Sequence, residues 1–340
     1  MPSDDTPQSR RTVTMADVAK AAGVSRQLVS LVIRNQGYVA PGKRALVLET
    51  AERLGYRRNH LAAGLAGQRT FALGMVTLDI HNQVYADFAE GIARVTAPAG
   101  YQLLLAVGGP DEESRRKNID SLVGLRVDGL LVADHSSAGL EIQELLTSTP
   151  CVSLGEVSSS ERVDSVAGDD RLGARLATEH LIDQGHRRIA YIAGPVTQQN
   201  SARRGGYRHA MFSASLAPFE LDGDASEAAG AAALTHMSET GTLPTAVVSY
   251  NDSTAIGVLA RAQELGLRVP EDLAVTGYDN TRGAGYPGVE LTSVDQRSKR
   301  IGAEAAALLL ERIAQPDKQG RTVVLEPELV VRRSSLRPAT

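Results

Sequence analysis

The sequence predicts a small N-terminal domain of three helices that contains a helix-turn-helix, followed by an α/β core of two doubly wound parallel-sheet lobes. The first observation is charge: residues 1–70 carry 11 Lys and Arg against 5 Asp and Glu, whereas residues 71–340 carry 25 against 35. The second is helical spacing of apolar residues around a glycine turn in the basic part. The third is an alternation of apolar strand-like runs with Ala- and Leu-rich stretches beyond residue 70. A chain of 340 residues accommodates two or three domains.

The first twelve residues are polar and include Pro2 and Pro7. They contain no apolar segment of the kind that a secretory signal needs, and we predict a disordered tail. No apolar run in the chain approaches the roughly 18–20 residues that span a bilayer. The one cysteine, Cys151, has no partner for an internal disulfide, which suits a reducing compartment. We therefore expect a cytoplasmic protein without a membrane partner.

The first predicted helix follows Thr14, which suits an N-cap because Asp17 stands three residues later. Gly23 then permits a tight turn, and Ser25 is suited to cap the next helix. This second helix, about residues 26–34, places Val29, Val32 and Ile33 inward, with Arg26, Gln27, Ser30 and Leu31 facing out. The third helix, about residues 43–54, has Leu46, Val47, Thr50, Ala51 and Leu54 on its apolar side and ends at Gly55.

Two helices joined by a glycine turn are typical of DNA-binding proteins that insert the second helix into the major groove. Arg26 and Gln27 at the start of that helix have suitable chemistry. Arginine binds guanine O6 and N7 bidentately, and glutamine binds adenine N6 and N7. The alternative is an ordinary solvated polar face on a three-helix unit, which the turn pattern alone leaves open.

The core begins with an apolar run at Phe71–Leu78. The further predicted strands are Gln102–Val107, Gly129–Ala133, Cys151–Leu154, Arg188–Ala193, Ala246–Tyr250 and Leu273–Tyr278. Helical stretches lie between them, at Ala86–Ala97, Arg171–Gln184, Ser253–Gly266 and Lys299–Ile313. Continuous apolar strands that alternate with helices indicate parallel sheets covered on both faces. Ligands of such folds bind beyond the carboxyl ends of the strands, here in a cleft between two lobes.

Polar side chains recur where these strands end, including Asp79, Asn251, Asp279 and Gln296, with Arg203 on a later segment. Carboxylates and amides bind vicinal hydroxyl groups, and an aromatic ring such as Tyr85 can stack on the apolar face of a sugar. Each residue alone is more often a turn former or a helix cap. Their recurrence at strand ends favours a hydroxyl-rich ligand.

An enzyme is not supported by the motifs present. Residues 283–288 spell G-x-G-x-x-G, but Pro287 interrupts the helix that a dinucleotide-binding loop must open, and the following residues suit an extended segment. The sequence has no phosphate-binding P-loop motif, no G-x-S-x-G elbow and no zinc-binding His pair. We therefore predict no catalysis, no metal site and no cofactor.

Several motifs together resemble the LacI/GalR family of transcription regulators. The run Val13-Thr14-Met15-Ala16-Asp17-Val18-Ala19-Lys20-Ala21-Ala22-Gly23-Val24-Ser25 is similar to the family's first helix and turn. Residues 54–59 and 61–65 resemble the end of its third helix and its hinge helix, and Val275-Thr276-Gly277-Tyr278-Asp279-Asn280 resembles a signature of its second lobe. The resemblance extends from about residue 13 to residue 334 and implies a core like that of periplasmic binding proteins.

The resemblance implies a role for individual residues of the basic domain. Arg26 and Gln27 would read bases, and Leu65 of the hinge would enter the minor groove with Ala62 beside it. Leu31 stands where many members have a base-reading arginine, so the DNA site is expected to differ. The predicted DNA-binding residues are Thr14, Ser25, Arg26, Gln27, Ser30, Leu31, Tyr38, Lys43, Arg44, Asn59, Ala62 and Leu65.

The resemblance also assigns effector-binding positions in the core, namely Asp79, Val84, Tyr85, Arg203, Asn251, Asp279 and Gln296. Gly155 and the segment Asn82-Gln83-Val84-Tyr85 depart from the family pattern, which leaves the ligand's identity open. The predicted domains are a tail at 1–12, a helix-turn-helix domain at 13–57, a hinge helix and linker at 58–69, and a core at 70–335. Within the core, lobe 1 comprises about 70–168 and 297–326, and lobe 2 about 169–296 and 327–335.

The function that the resemblance implies is sequence-specific regulation of transcription, in most cases repression. A homodimer would bind double-stranded operator DNA, and a small-molecule effector, a sugar or sugar derivative, would control its affinity. The alternative is a sensor or transport-type sugar-binding protein that does not bind specific DNA. Steep salt dependence of DNA binding distinguishes the two, because each neutralised phosphate adds about −0.9 to the log–log slope.

Overall fold

A computed structural model describes residues 13–33, 37–56, 69–108, 111–133 and 149–336. The chain divides into two compact units, Met1–Arg69 and Thr70–Thr340. The described part of the first unit, here called the headpiece, contains three helices. They are α1 (Met15–Ala22), α2 (Arg26–Ile33) and α3 (Pro41–Arg53).

Helix α1 begins and ends, and α2 begins, where the local sequence signals place them. The Thr14 side chain accepts a hydrogen bond from the Asp17 backbone, and the Asp17 carboxylate accepts one from the Thr14 backbone, so a complete capping box opens α1. Gly23 ends this helix at φ 64°, a left-handed conformation that favours glycine. The Ser25 hydroxyl then accepts a hydrogen bond from the Leu28 backbone, 3.2 Å away, in the first turn of α2. These predictions are confirmed.

The headpiece core differs from the sequence-based prediction at two leucines. Val18, Val29, Val32, Val47 and Ala51 are buried together, as predicted. Leu31, predicted to face out, is half-buried and packs against this core, because the side chain lies beside the turn at Gly37. Leu46, predicted on the apolar side of α3, is 45% exposed. Helix α3 begins at Pro41 rather than near residue 43, since proline suits the first turn of a helix.

The second unit contains two six-stranded sheets, which define its two lobes. Lobe 1 has the strand order β11-β5-β4-β3-β1-β2, and the strands are parallel. Its elements are β1 (Ala72–Thr77), α4 (Gln83–Thr96), β2 (Gln102–Val107), α5 (Glu112–Gly124), β3 (Gly129–Ala133), β4 (Cys151–Leu154), β5 (Asp164–Gly168), α10 (Ser298–Ala314) and β11 (Thr322–Leu325). Apolar clusters cover both faces of this sheet, one around Met75 and Leu131 and one around Val76 and Leu130.

Lobe 2 has the strand order β12-β10-β9-β8-β6-β7. Its elements are α6 (Asp170–Asp183), β6 (Ile189–Ile192), α7 (Gln198–Ser213), β7 (Phe219–Leu221), α8 (Glu227–Glu239), β8 (Ala246–Ser249), α9 (Asp252–Glu264), β9 (Ala274–Tyr278), β10 (Thr292–Asp295) and β12 (Glu328–Val330). Strand β12 pairs antiparallel with β10, an exception to the predicted parallel sheet at its edge. The chain crosses between lobes three times, after β5, after β10 and after β11.

The predicted strands of the core are confirmed, three of them with the predicted bounds. Not predicted from the sequence were four short strands, β5, β7, β11 and β12, and three helices without a clear apolar pattern, α5, α7 and α8. Residues 282–285 form a single 3-10 turn rather than a phosphate-binding helix start. No helix among the described residues is long and apolar enough to span a membrane.

In each lobe, two neighbouring helices pack closely against each other at glycines. A Cβ added to Gly91 of α4 would lie 2.0 Å from the Lys299 carbonyl oxygen, and one added to Gly302 of α10 would lie 2.2 Å from that of Phe88. In lobe 2, a Cβ on Gly206 of α7 would lie 2.1 Å from the Arg171 carbonyl oxygen of α6. No larger side chain fits these crossings, so the helix pairs are held at a fixed distance beside the strand ends.

Candidate effector cleft and nucleic-acid interface

Six of the seven predicted effector-binding residues line one cavity of about 70 Å³ between the lobes, here called the inner cavity. The seventh, Asp79, lines an adjoining cavity of about 310 Å³, here called the outer cavity. The inner cavity is formed by Asn82, Val84, Tyr85, Phe88, Ala133, Leu154, Gly155, Gln199, Arg203, Tyr250, Asn251, Asp279 and Gln296. The strand ends of both sheets therefore meet at one cleft, as expected for parallel sheets.

Among the residues that the structure describes, Arg203 is the only arginine or lysine that lines the inner cavity. Its Nε donates to the Asp170 carboxylate at 2.7 Å, and its Nη1 donates to the Tyr250 carbonyl oxygen at 2.8 Å. The guanidinium lies over the Tyr278 ring, 3.6 Å from the ring centroid. Because two donors and one face are occupied by the protein, the side chain is fixed, and its charge is neutralised within lobe 2.

Asp279 follows strand β9 and lies against Arg203, with 3.7 Å between its carboxylate and Nη2. Gln296 Nε2 donates to the same carboxylate oxygen at 2.7 Å. Burial raises the pKa of Asp279 to about 8, despite the opposing effect of Arg203. The raised pKa favours the protonated carboxyl group, which can donate a hydroxyl hydrogen to a ligand as well as accept one.

Asn251 serves the fold as well as the cleft. Its side-chain oxygen accepts from the Thr254 backbone at 2.9 Å and caps α9, and its amide nitrogen donates to the Ala225 carbonyl oxygen at 3.1 Å. Asn251 is therefore a helix cap, the alternative that the sequence left open, and also a residue of the cleft. The neighbouring Asp252 does not line either cavity; its carboxylate binds Thr281 and Ser293, and burial raises its pKa to about 6.

The sequence-based prediction missed several cavity residues. Gln199 lines both cavities and donates to the Gly155 carbonyl oxygen across the lobes at 3.3 Å. Asp224 and Glu227 line the outer cavity at the start of α8, a helix that was not predicted. Ser226 caps α8 through the Ala229 backbone, and a serine followed by Glu227 and an alanine-rich stretch is a start signal that would have found this helix.

The predicted DNA-binding residues of the headpiece lie mainly on its exposed surface. Ser25, Arg26 and Gln27 are exposed at the start of α2, and Tyr38 is 92% exposed. Thr14 and Lys43 are exposed as well, whereas Ser30, Leu31 and Arg44 are half-buried. Asn59, Ala62 and Leu65 lie outside the described residues. The first turn of α2 thus exposes a guanidinium and an amide to solvent.

Comparison with known proteins decides the family. Residues 14–59 match the family model of bacterial regulatory proteins of the lacI family, and residues 178–335 match a periplasmic binding protein-like domain. Catabolite control protein A of Priestia megaterium is 33% identical over 329 residues, which cover 95% of this chain and 99% of the relative. The chain belongs to the LacI family. The HTH-type transcriptional repressor PurR of Vibrio campbellii is 34% identical over 94% of this chain and 98% of its own length.

Solved structures agree with this membership of the LacI family. The lac repressor dimer bound to operator and the anti-inducer ONPF is 28% identical, with a TM-score of 0.84 over 96% of this chain and 100% of that chain. A complex of the transcriptional regulator CelR with cellobiose is 31% identical, with a TM-score of 0.71 over 95% and 99%. This LacI-family chain is therefore a DNA-binding transcriptional regulator, and these relatives are regulators rather than enzymes or transport proteins.

Proposed function

We propose that this regulator is a repressor that binds a near-palindromic operator as a homodimer and that a sugar or sugar derivative in the interlobe cleft controls its operator affinity. The dimer and the operator are argued from the lac repressor complex, and the sugar from the CelR–cellobiose complex together with the cleft itself. A repressor with these partners acts in the cytoplasm, where its operator is found. The observation that carries the proposal is the pair of lobes whose strand ends converge on a cavity with hydroxyl-binding side chains.

DNA reading is assigned to Arg26 and Gln27 because both are exposed at the end of α2 that enters the groove in helix-turn-helix proteins. Each good bidentate base contact contributes about 1–3 kcal/mol of discrimination. Lys43 and Tyr38 are assigned to the phosphate backbone, and contacts of that kind position the protein without reading sequence. Ser25 and Thr14 both cap helices, so their contribution to DNA binding acts together with headpiece folding.

The experiment separates the two kinds of contact. Randomised duplexes selected by the wild-type chain give an operator, and Arg26→Ala should relax base preference at one position of each half-site. Lys43→Ala should weaken binding to all sequences alike and make the salt slope about 0.9 shallower per chain. Arg53→Ala is the matched control, since Arg53 is an exposed arginine at the last residue of α3. Equal sequence preference in the wild type and the Arg26 variant would contradict the assignment.

Effector binding is tested by thermal denaturation of the full chain with a panel of sugars. A ligand at 100 times its dissociation constant adds about 2.7 kcal/mol to stability. The same ligand should change operator affinity roughly 5- to 150-fold, which is the usual range of coupling between two sites. A sugar that stabilises the chain without changing operator affinity would contradict the regulatory role of the cleft.

A further inference from the structure

A third cavity, here called the basic cavity, has a volume of about 600 Å³ and lies beside the inner cavity, because Asp279 lines both. Six cationic side chains line it, namely Arg94, Arg282, Arg297, Lys299, Arg300 and Arg332. The carboxyl groups that line it are those of Asp87, Asp279 and Asp295. In the described part of the chain, its lining includes no aromatic or aliphatic side chain. The basic cavity therefore offers a ligand charged and polar contacts only.

Both lobes form the basic cavity. Helices α4 and α10 of lobe 1 contribute three of the cations, and the loop after β9 of lobe 2 contributes Arg282. The backbone N–H of Arg282 donates to the Gln83 side-chain oxygen across the lobes at 3.0 Å. The Asp252 carboxylate fixes the same loop, because it accepts from the Thr281 backbone at 2.7 Å. The loop that carries Arg282 is thus held by both lobes.

The cations of the basic cavity differ in their pairing. Lys299, Arg297 and Arg300 form ion pairs with glutamates outside the cavity lining, and these glutamates are 43–63% exposed. Exposed pairs of this kind are weak, so an anion in the cavity can compete for the cations. The side chains of Arg94 and Arg282 form no hydrogen bond or ion pair with any residue that the structure describes. These two guanidinium groups are available to a ligand.

The remaining charges leave the basic cavity positive. Arg332 donates to the Leu291 carbonyl oxygen and to the Asn280 side-chain oxygen, each at 2.7 Å, and both acceptors are uncharged. Burial raises the pKa of Asp279 to about 8 and also raises the pKa of Asp87, which favours their uncharged forms. The lining therefore carries an excess of positive charge that a bound anion would neutralise.

The start of helix α10 also lines the basic cavity, at residues 297–300. Arg297 precedes this helix of 17 residues at φ 67°, and no side chain caps it. The N–H groups of a first helical turn bind anions, and the helix dipole favours negative charge there. Ser298 is only 5% exposed, and its hydroxyl has no hydrogen-bond partner in the described part of the chain. A buried hydroxyl of this kind indicates a ligand that completes its hydrogen bonding.

We propose that the basic cavity binds a compact ligand with at least two phosphate groups. One phosphate accepts hydrogen bonds from the Ser298 hydroxyl and the first N–H groups of α10, and another lies against Arg94 and Arg282. Arginine suits this role because its planar group of donors matches the oxygens of a phosphate. Three guanidinium groups without an ion pair, including that of Arg332, carry more charge than one phosphate monoester, about −1.5 to −2 at neutral pH.

The shape and lining of the basic cavity narrow the ligand further. Its volume lies within the range of small-molecule sites, so the cavity has room for a polar scaffold between the phosphates. A lipid chain would gain no apolar contact from the described lining residues. The site is separate from the sugar cleft of the proposed function and does not depend on it.

The test measures dissociation constants of the full chain by calorimetry, in about 0.15 M salt so that long-range attraction is screened. The probes are inorganic phosphate, pyrophosphate, tripolyphosphate and citrate. We expect pyrophosphate or tripolyphosphate to bind about tenfold or more tightly than phosphate or citrate, because only they present two phosphate groups. The double variant Arg94→Gln, Arg282→Gln should weaken this binding about tenfold or more.

Ser298→Ala is the sharper variant, because it leaves the net charge unchanged. It should weaken binding of the preferred probe about tenfold, as expected for the loss of a hydrogen bond to a charged group. The variant should keep the wild-type Tm without a ligand, since the hydroxyl has no partner in the described part of the chain. Equal affinity in Ser298→Ala and the wild type would overturn the inference.

Two further double variants control for nonspecific attraction. Arg162→Gln with Arg268→Gln removes two exposed arginines that line none of the three cavities, and it should change none of the constants. Arg26→Gln with Lys43→Gln should lower operator affinity but leave the affinity for the probes unchanged.

Loss of probe binding in either control variant to the same extent as in the cavity variant would overturn the inference, and loss in the headpiece variant alone would assign the probes to the DNA-binding surface. Tighter binding of citrate, or binding of no probe, would overturn it as well. None of these results bears on operator selection or on the response to sugars, so the proposed function is tested separately.

Discussion

The Arg203–Asp170 ion pair allows a stringent test of how the cleft is held. The side chains are 6% and 9% exposed, and replacing Arg203 by Met keeps most of the side-chain volume but removes the charge. The carboxylate of Asp170 is then buried without its cation, which costs about 3–5 kcal/mol. At about 2.1 cal/mol/K of unfolding entropy per residue, the 271 residues of the unit Thr70–Thr340 lose about 1.8 °C of Tm per kcal/mol, so the expected loss is roughly 5–9 °C.

The stability loss of Arg203→Met should also depend on pH. Burial already raises the pKa of Asp170, with Arg203 opposing this effect, so removal of the guanidinium raises the pKa further. A carboxyl group whose pKa is higher in the folded state contributes stability at low pH and loses it as pH rises. The deficit of Arg203→Met should therefore be larger at pH 8 than at pH 5.5.

Differential scanning calorimetry of the full chain at both pH values measures the effect, and a double-mutant cycle with Asp170→Asn isolates the pair. The double variant should be more stable than Arg203→Met alone, because no uncompensated carboxylate remains. The control is Arg300→Met, since Arg300 is 67% exposed and its pair with Glu304 contributes little. A Tm loss below about 3 °C for Arg203→Met, or simple additivity in the cycle, would refute the reasoning.

Three further perturbations follow from the structure, and a fourth follows from the resemblance of residues 61–65 to the family's hinge helix. Asp279→Asn should make Tm fall less steeply between pH 6.5 and 8. Burial raises the pKa of Asp279 to about 8, so the folded chain keeps this proton up to that pH whereas the unfolded chain has released it, and stability falls as pH rises. Gly206→Ala should destabilise the chain by about 1–3 kcal/mol in denaturant unfolding, because its Cβ would lie 2.1 Å from a carbonyl oxygen of α6. Thr14→Ala should cost the headpiece about 1 kcal/mol, measured by amide exchange, because it removes the capping box. The family resemblance predicts that Leu65, which lies outside the described residues, enters the minor groove. On that prediction, Leu65→Ala should weaken operator binding more than threefold in gel shifts, with ligand affinity unchanged, because the leucine's contacts offset the cost of unstacking.

Gly206→Ala has a matched control, and each of the other three predictions has a result that would contradict it. Gly124→Ala, at a helical glycine with nothing within 4 Å of an added Cβ, should change stability little. If Tm falls equally steeply with pH in the wild type and in Asp279→Asn, the carboxyl group of Asp279 does not titrate as described. Unchanged exchange in the headpiece would exclude the cap at Thr14 as a stabilising feature. Operator affinities of the wild type and Leu65→Ala within threefold of each other would exclude insertion of Leu65 into the minor groove as a source of affinity.

The sequence was informative where one local rule determines the structure. The strands Gln102–Val107 and Gly129–Ala133 are continuous apolar or nearly apolar runs, and the start of α1 follows from Thr14 and its capping partner. Short edge strands such as β7 carry too few residues for a pattern. Leu31 was assigned to the exposed face because helical spacing does not include the turn at Gly37, which covers that side chain.

The cleft residues, too, were predictable only where a local sequence rule applies. Asp279 and Gln296 follow recognisable strands or motifs, and their position at strand ends was sufficient to predict them. Asp224 and Gln199 depend on elements that were not predicted, so no sequence rule associated them with Asp79. Arg203 and Asp170, which form an ion pair, are 33 positions apart in sequence. Only the packing of α6 against α7 brings them together, so no local sequence pattern predicts the pair.

The coupling between the cleft and DNA is the central claim, and operator affinity measured with and without a cleft ligand tests it most directly. The operator is the duplex that the wild-type chain selects from random sequences, and the ligand is the sugar that most raises Tm. A shift of at least fivefold in the operator dissociation constant, abolished by Arg203→Met, is the predicted result. Selection of no sequence at low ionic strength, or an operator affinity that the ligand leaves unchanged, would contradict the claim.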